Sequence, residues 1–383
     1  MINSKLKIDI IGAGIGGLTL AIALKKKGFI INVFEQAPEI KTVGAGIVLA
    51  NNAMQVYKQL GLKETLESQG NIIKGFNLAT PDLKPMAAAT LEQFEEKYGV
   101  RNVAIHRGIL QQELAKQLTS EQLHTGYELN QINRGEDGLE LQFNNGETVH
   151  STLIIGADGA NSKVRKSIFP ESEIRHTNQI CWRGVAHYQL PDAFQHELTE
   201  AWGKGVRFGF VKIAPNMVYW FAVKSFKPGK EDLGNAQLTN DFKDFDPMVG
   251  ELLAATPDDQ IHAARLSDLK PMKQWSKGAI CLLGDAAHAM TPNMGQGAGQ
   301  SIEDALMLAQ CLGLFNPNEA FERYQKLRLE KVTQIINRSW QIGKIAHLSN
   351  PVAVFLRNNL LKITPDSVNT KQTEMIFELA KVR

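Results

Sequence analysis

The sequence predicts an α/β fold with an α+β insert, on three observations. Residues 6–11 form a short apolar run that ends in the glycines of GAGIGG and passes into a helical pattern, the opening of a parallel βαβ unit. The same buried-strand pattern returns twice, at 153–156 and at 279–283, the latter delivering the chain to Gly284. Between these returns the chain is β-rich and aromatic, and from Gln300 onward helical periodicity dominates. A Rossmann-type domain assembled from discontinuous segments follows, bounded as residues 1–72, 101–176 and 266–345. A β-sheet substrate domain takes 73–100 and 177–265, and 346–383 form a C-terminal helical segment.

Each element carries its own signal. Residues 15–27 keep a helical period and close on Gly28, a glycine stop. Residues 30–34 form the next strand and end on Glu35. Helical patterns follow at 53–60, stopped by Gly61, and at 109–118. Residues 130–134 and 139–143 read as hairpin strands, with a turn at Asn144-Asn145-Gly146. The strand 153–156 runs into Ala157-Asp158-Gly159. Two β-rich stretches, 178–190 and 206–223, come next, the second broken by Pro215-Asn216. Alternation along 218–223 sets Tyr219 and Phe221 on one face and Trp220 on the other. Residues 352–363 are apolar and read as a helix packed to close the body, with contact to a membrane surface as the alternative.

Bulk composition removes several function classes. The 383 residues carry 42 Lys and Arg against 40 Asp and Glu, a net charge of +2 with no basic stripe, so nucleic acid is not an expected partner. Cys181, Cys281 and Cys311 are far apart and odd in number, which fits neither a disulfide framework nor a metal site and suits a reducing cytoplasm. No signal-peptide pattern opens the chain, and no apolar run reaches the roughly 18 residues of a membrane span. Stable membrane insertion is therefore not expected. P-loop, nucleophile-elbow and zinc spacings are missing.

Two glycine-rich loops carry the chemistry. Gly12, Gly14 and Gly17 match G-x-G-x-x-G between a strand and a helix, the context in which the pattern binds a pyrophosphate. The first glycine makes the tight turn, the second admits the pyrophosphate to the backbone, and the third lets helix and strand pack. Helix N–H groups and the helix dipole then face the anion. Glu35, about 20 residues further on, is placed for ribose hydroxyls and disfavours a 2′-phosphate. The run from Gly284 to Ala305 supplies a second strand, loop and helix. Asp285 suits polyol hydroxyls. Gly295, Gln296 and Gly297 bring backbone to a flat ring, the following helix aims N–H groups at that ring's anionic edge, and Pro292 stiffens the approach. Two such ends point to one long cofactor, a flavin dinucleotide. His288 reads as a structural histidine of the turn.

With these residues in view, the chain resembles the group A flavoprotein monooxygenases, the p-hydroxybenzoate hydroxylase family. It is most similar to the branch with salicylate hydroxylase-like, urate hydroxylase-like and tetracycline-inactivating enzymes. Three motifs carry the resemblance in order: Gly12 to Gly17, GADGANSKVR at 156–165, and the run from Gly284 to Asp304. It extends through GAGIVLANNAM, HRGILQQEL, VYWFAV and the helix with Tyr324 and Arg328. The resemblance implies that Gly46 and Ile47 line the flavin ring, that Arg107 contacts the ribityl–pyrophosphate region, and that Asp158 belongs to a motif tied to FAD and nicotinamide cofactor. It places Asp285 on the ribityl chain and Pro292 with Gly295 to Gly297 beside the ring. Departures occur at Gln36-Ala37, where an Arg is common, at Asn51-Asn52 for Pro-Asn, and at Ala289 for a proline.

The implied activity is an FAD-dependent, NAD(P)H-consuming monooxygenation of an aromatic, heteroaromatic or polycyclic small molecule. NADH or NADPH visits transiently as hydride donor, O2 reacts with reduced flavin to a C4a-(hydro)peroxide, and one oxygen passes to the substrate. Arg183 and Tyr219 are the candidates to bind and activate it, with Arg207, Phe208 and Phe210 from neighbouring stretches; each aromatic reads first as core. No pocket His or carboxylate stands out as a base. An FAD-dependent reductase or saturase without oxygen insertion, and a non-catalytic FAD-binding sensor, remain the alternatives. The assembly is expected to be a monomer or homodimer.

Overall fold

The structure, a computed structural model, describes residues 6–42, 44–135, 138–230, 232–364 and 366–382. The first strand, Lys7–Ile11, is buried along all but its first residue because strands flank it on both sides. It lies in a six-stranded sheet ordered Ser276–Lys277, Ile280–Leu282, Ile154–Gly156, Lys7–Ile11, Ile30–Glu35, Leu123–Thr125. Every adjacent pair is parallel except the first. The segments that meet at its centre are remote in sequence, so the three glycine-bearing loops leave the same sheet edge. That edge, outside the C-terminal ends of parallel strands, is where open α/β sheets hold ligands.

Helix boundaries shift by a few residues, for local reasons. The first helix is Ile15–Lys26; Lys27 caps it, and Gly28 turns the chain away with φ +84°. The helix expected at 53–60 starts earlier, at Asn51. The one expected at 109–118 is Arg107–Ala115, because His106 Nδ1 accepts the Gly108 N–H at 3.2 Å and fixes the start.

The insert is a seven-stranded sheet ordered His262–Leu269, Ile174–His187, Met217–Ser225, Val206–Ala214, Glu197–Trp202, Gly75–Ala79, Pro85–Thr90. Its neighbours are antiparallel except Glu197–Trp202 with Gly75–Ala79. One face buries Ile180, Trp182, Phe208, Phe210, Trp220 and Ala222 against the helix Pro247–Ala254. Trp220 stacks on Phe208 and donates its indole N–H to Thr256 Oγ1 at 2.8 Å. Phe208 and Phe210 are thus core residues and line no pocket. A three-stranded sheet, Gly46–Leu49, Asn102–His106 and Asn71–Ile73, bridges the two larger ones. Ile47 turns to the α/β core, whereas Val48 packs with Val185, Val211 and Tyr219.

Four long helices close the chain: Gly297–Leu314, Pro317–Ala346, Pro351–Ile363 and Asp366–Phe377. The expectation that residues 352–363 pack inward is corrected. Arg357 and Leu361 face the body, with the Arg357 guanidinium donating to Ala346 O at 2.9 Å, but most of the apolar side chains point outward. The pattern that defines an apolar stripe does not say which way it faces.

His347, just after the long helix, sits with Nδ1 3.0 Å from Ser225 Oγ and 3.1 Å from Gly205 O. Burial, aided by the Arg207 charge, pushes its pKa down to about 3. In the unfolded chain the ring takes up a proton near pH 6.5 that the folded chain refuses. Its contribution to stability is thus present above about pH 6.5 and is lost as pH falls towards 3, by a few kcal/mol in order of magnitude. Denaturant midpoints measured across that window will flatten in His347→Gln relative to the parent.

Candidate cofactor and substrate site

The first glycine loop separates into structural and open positions. Gly12 has φ +106°, and a Cβ there would lie 2.5 Å from Ala157 O; one at Gly17 would lie 2.0 Å from Gly12 O. Both permit backbone contact within the protein. Gly14 has ordinary extended geometry (φ −67°), and no atom lies within 4 Å of where its Cβ would stand. The free N–H groups of the helix Ile15–Lys26 face that open space. Glu35 accepts the Ala13 N–H at 2.8 Å and the Ala37 N–H at 2.9 Å, so it steadies the loop while each oxygen keeps a lone pair for a hydroxyl.

The second loop meets the first through small residues. A Cβ on Gly16 would sit 2.9 Å from Leu283 Cδ2 and 3.1 Å from Ser301 Cβ, so its absence lets the helix Gly297–Leu314 approach. Asp285 opens the turn Asp285–His288. Its carboxylate is exposed to the cleft and accepts no hydrogen bond among the described residues, so it does not serve as a helix cap. Surrounding protein raises its pKa by desolvation, opposed by the nearby His288 and Arg107 charges. Arg107 is exposed to the same space and forms no ion pair among the described residues.

Pro292 and Gly295 are exposed, and Gly295, with φ +61°, has nothing within 4 Å of its Cβ position. Gly297 meets only ordinary contacts with Met290 and Asp285. Gln296 is buried, its Oε1 accepting from Asn52 at 3.2 Å and Gln300 at 3.0 Å. Asp158 is also committed within the chain: it accepts the Ser162 hydroxyl at 2.5 Å and the N–H groups of Lys163 and Val164. Arg165, from the same motif, donates to Ala286 O at 3.1 Å and ties that turn to the Asp285 loop.

Beneath the second loop lies a buried ionic network. Asp304 accepts from Arg328 Nε at 2.8 Å and from Gly284 N–H at 3.2 Å, and it pairs with His288 Nε2. Arg328 also binds Glu303 and Gln300. His288 is therefore a framework residue.

The opposite wall is the second face of the seven-stranded sheet. Register places Arg183 opposite Phe221, and Val185 opposite Tyr219, on that face. Tyr219 is wedged against Gly46, whose Cβ would fall 2.4 Å from the tyrosine Cβ. Burial pushes the Tyr219 hydroxyl far up, which keeps it a neutral donor, and Arg183 lies close enough to oppose that shift. Arg207, buried, pairs with Glu200 at 2.8 Å and donates to Asn293 in the turn Pro292–Met294. Trp202 Nε1 donates to the same Glu200 oxygen at 2.8 Å. This clasp joins the sheet to the turn that carries Pro292. Glu200 and Asn293 give no local signal in the sequence, since each gains meaning only from strand register.

The open space over Gly14 and Gly295, the unpartnered Asp285 and the helix N-termini at Ile15 and Gly297 fit a dinucleotide with a polyol arm and a flat ring. They define an FAD-binding α/β protein. The chain belongs to the FAD binding domain family, which matches residues 5–339. Aurachin C monooxygenase/isomerase of Stigmatella aurantiaca is 35% identical over 362 residues, covering 94% of each chain. The 2-heptyl-3-hydroxy-4(1H)-quinolone synthase of Pseudomonas aeruginosa strain UCBPP-PA14 is 32% identical over 376 residues, 96% of each chain. The crystal structure of Klebsiella pneumoniae HpxO complexed with FAD and uric acid shares the fold, with a TM-score of 0.88 at 24% identity, covering 97% of this chain and 96% of that one. With these relatives, the chain is an FAD-dependent monooxygenase.

Proposed function

We propose that this monooxygenase hydroxylates a nitrogen heteroaromatic of the 4-quinolone type that bears a hydrophobic chain. The observation that carries the reading is the pair Arg183 and Tyr219, half-buried on the sheet face against Gly46, with no carboxylate paired to Arg183 among the described residues. A guanidinium and a neutral phenol side by side on one sheet face suit the oxygen of a vinylogous amide, which gains negative charge as its ring carbon becomes nucleophilic. The two relatives with 35% and 32% identity support the ring type: one is named for Aurachin C, and the other's product name describes a 3-hydroxylated quinolone with a heptyl chain.

Bound FAD supplies the redox chemistry, taking hydride from NADH or NADPH and activating O2. The chain's own residues do the rest. In this reading Gly12, Gly14 and Gly17 with Glu35 hold the nucleotide half, Asp285 and Arg107 hold the ribityl–pyrophosphate arm, and the backbone at Gly46, Ile47 and Gly295 to Gly297 brackets the ring. Asp158 acts at one remove, by shaping the turn beside Gly12. Arg183 donates to the substrate oxygen and favours its enolate form; Tyr219 Oη donates to the same oxygen and keeps its own proton. Phe221 and Pro292 exclude water from the gap between ring and substrate. NAD(P)H use fits a cytoplasmic enzyme.

The test uses flavin-loaded protein and a panel of 2-alkyl-4-quinolones, benzoates and purines. We expect quinolone-stimulated NAD(P)H oxidation without peroxide release, and one atom from 18O2 in the product. Stimulation by benzoates or purines alone would sink the substrate reading, and unlabelled product would mark a reductase. Arg183→Met is expected to lower kcat/KM about 100-fold, roughly 2.7 kcal/mol, with FAD content unchanged. Tyr219→Phe should cost about tenfold.

A further inference from the structure

The helix Pro351–Ile363 turns a continuous apolar stripe to solvent. Val352, Phe355, Leu356, Leu360 and Ile363 are each 61–74% exposed, and together with Asn359 they occupy one side of the helix. The other side is fixed. Arg357 donates to the carbonyl oxygens of Ala346, Trp202 and Gly203, its guanidinium lies 5.4 Å from the Trp202 ring, and Leu361 packs with Leu78 and Met86. Asn350 caps the helix start by accepting the N–H groups of Val352 and Ala353. A rigidly anchored helix therefore holds five large apolar side chains in water.

Charge selects what covers them. Residues 331–365 contain no carboxylate; of their cations, Arg357 faces the body and Lys331 pairs with Glu303, which leaves Lys344 and Lys362 near the stripe. Lys362 stands exposed beside the stripe and Lys344 exposed at the end of the preceding helix. Lys204 is exposed on the loop whose Gly205 N–H donates to Leu348 O at 3.1 Å. Size argues against a second copy: the stripe is confined to one helix of 13 residues, whereas a stable interface takes about 20–30 residues a side. An apolar stripe with cations at its margin matches the region between headgroups and acyl chains of an anionic bilayer.

We propose that the helix Pro351–Ile363 docks this enzyme, in plane, on an anionic lipid surface. The inference is independent of the substrate reading. The test is flotation of the full-length, flavin-loaded protein with phosphatidylcholine vesicles, with and without about one third phosphatidylglycerol. The parent is expected to float with the anionic vesicles, less with neutral ones, and less as salt rises. Phe355→Glu/Leu356→Glu, both at exposed positions, should bind at least about tenfold more weakly with unchanged flavin content and melting. Equal flotation of parent and variant, or no flotation of the parent, overturns the proposal. A homodimer that the variant abolishes, without vesicle binding by the parent, assigns the stripe to a second copy and also overturns it.

Discussion

Gly14→Val is expected to give a folded protein that purifies without colour. The position has extended geometry that valine adopts readily, and its side chain would enter space no protein atom occupies. The cost to the fold is therefore within about 1 kcal/mol. In the proposed reading that same space takes the FAD pyrophosphate against the N–H groups of the first helix, so FAD affinity should fall at least about 100-fold, near 2.7 kcal/mol. Isothermal titration with FAD and a parallel thermal melt separate the two effects. Gly17→Val is the contrasting case: its side chain would collide with Gly12 O, and loss of soluble protein is expected. A Gly14→Val protein that copurifies with stoichiometric FAD would remove the pyrophosphate from this loop.

The contrast marks what the sequence can say. Gly12, Gly14 and Gly17 are legible as a motif because strand, turn and helix are contiguous. Their division into packing glycines and an open one depends on Ala157, which the sheet brings in from another segment. Asp285 and the loop after it are legible for the same local reason, and so is the alternation that separates Tyr219 from Trp220. The Arg207–Glu200–Asn293 clasp is not, because its members come from two strands and a distant turn. The placing of Gly46 against Tyr219 depends on the small bridging sheet, whose strands are too short to announce themselves. The internal hydrogen bonds of Gln296 Oε1 and of the Asp158 carboxylate are equally invisible before the chain is folded.

The clasp also explains how one wall can follow the other. Arg207 reaches from the sheet that carries Arg183 and Tyr219 to Asn293 in the turn that carries Pro292, and Asn293 is held in turn by Ser339 O at 2.8 Å. Substrate side, ring side and long C-terminal helix are thereby linked by buried and part-buried hydrogen bonds and not by loop contacts alone. Positions held in this way keep their geometry with little reorganisation when ligands bind.

Asp304→Asn should be the most damaging change that leaves every cleft-facing residue intact. Asp304 holds Arg328, His288 and the Gly284 N–H at once, all within the core. Although burial alone would raise its pKa, His288 and Arg328 outweigh this and hold it at about 2. Its unfolded value is near 3.9. A depressed carboxylate contributes stability that is fully present above the unfolded value and is lost as pH falls from about 4 towards 2. Removing the charge leaves Arg328 with Glu303 but strips His288 of its partner, a buried-pair loss of about 3–5 kcal/mol and a fall in Tm of roughly 5 °C for a chain of this length. The second consequence is functional, because Gly284 and His288 set the turn on which Asp285 stands. FAD titrated at a temperature where both proteins are folded should bind the variant more weakly, while the acid limb between pH 4 and 2 should flatten. Unchanged FAD affinity alongside the lost stability would reduce the network to a structural brace and leave Asp285 positioned by its own strand.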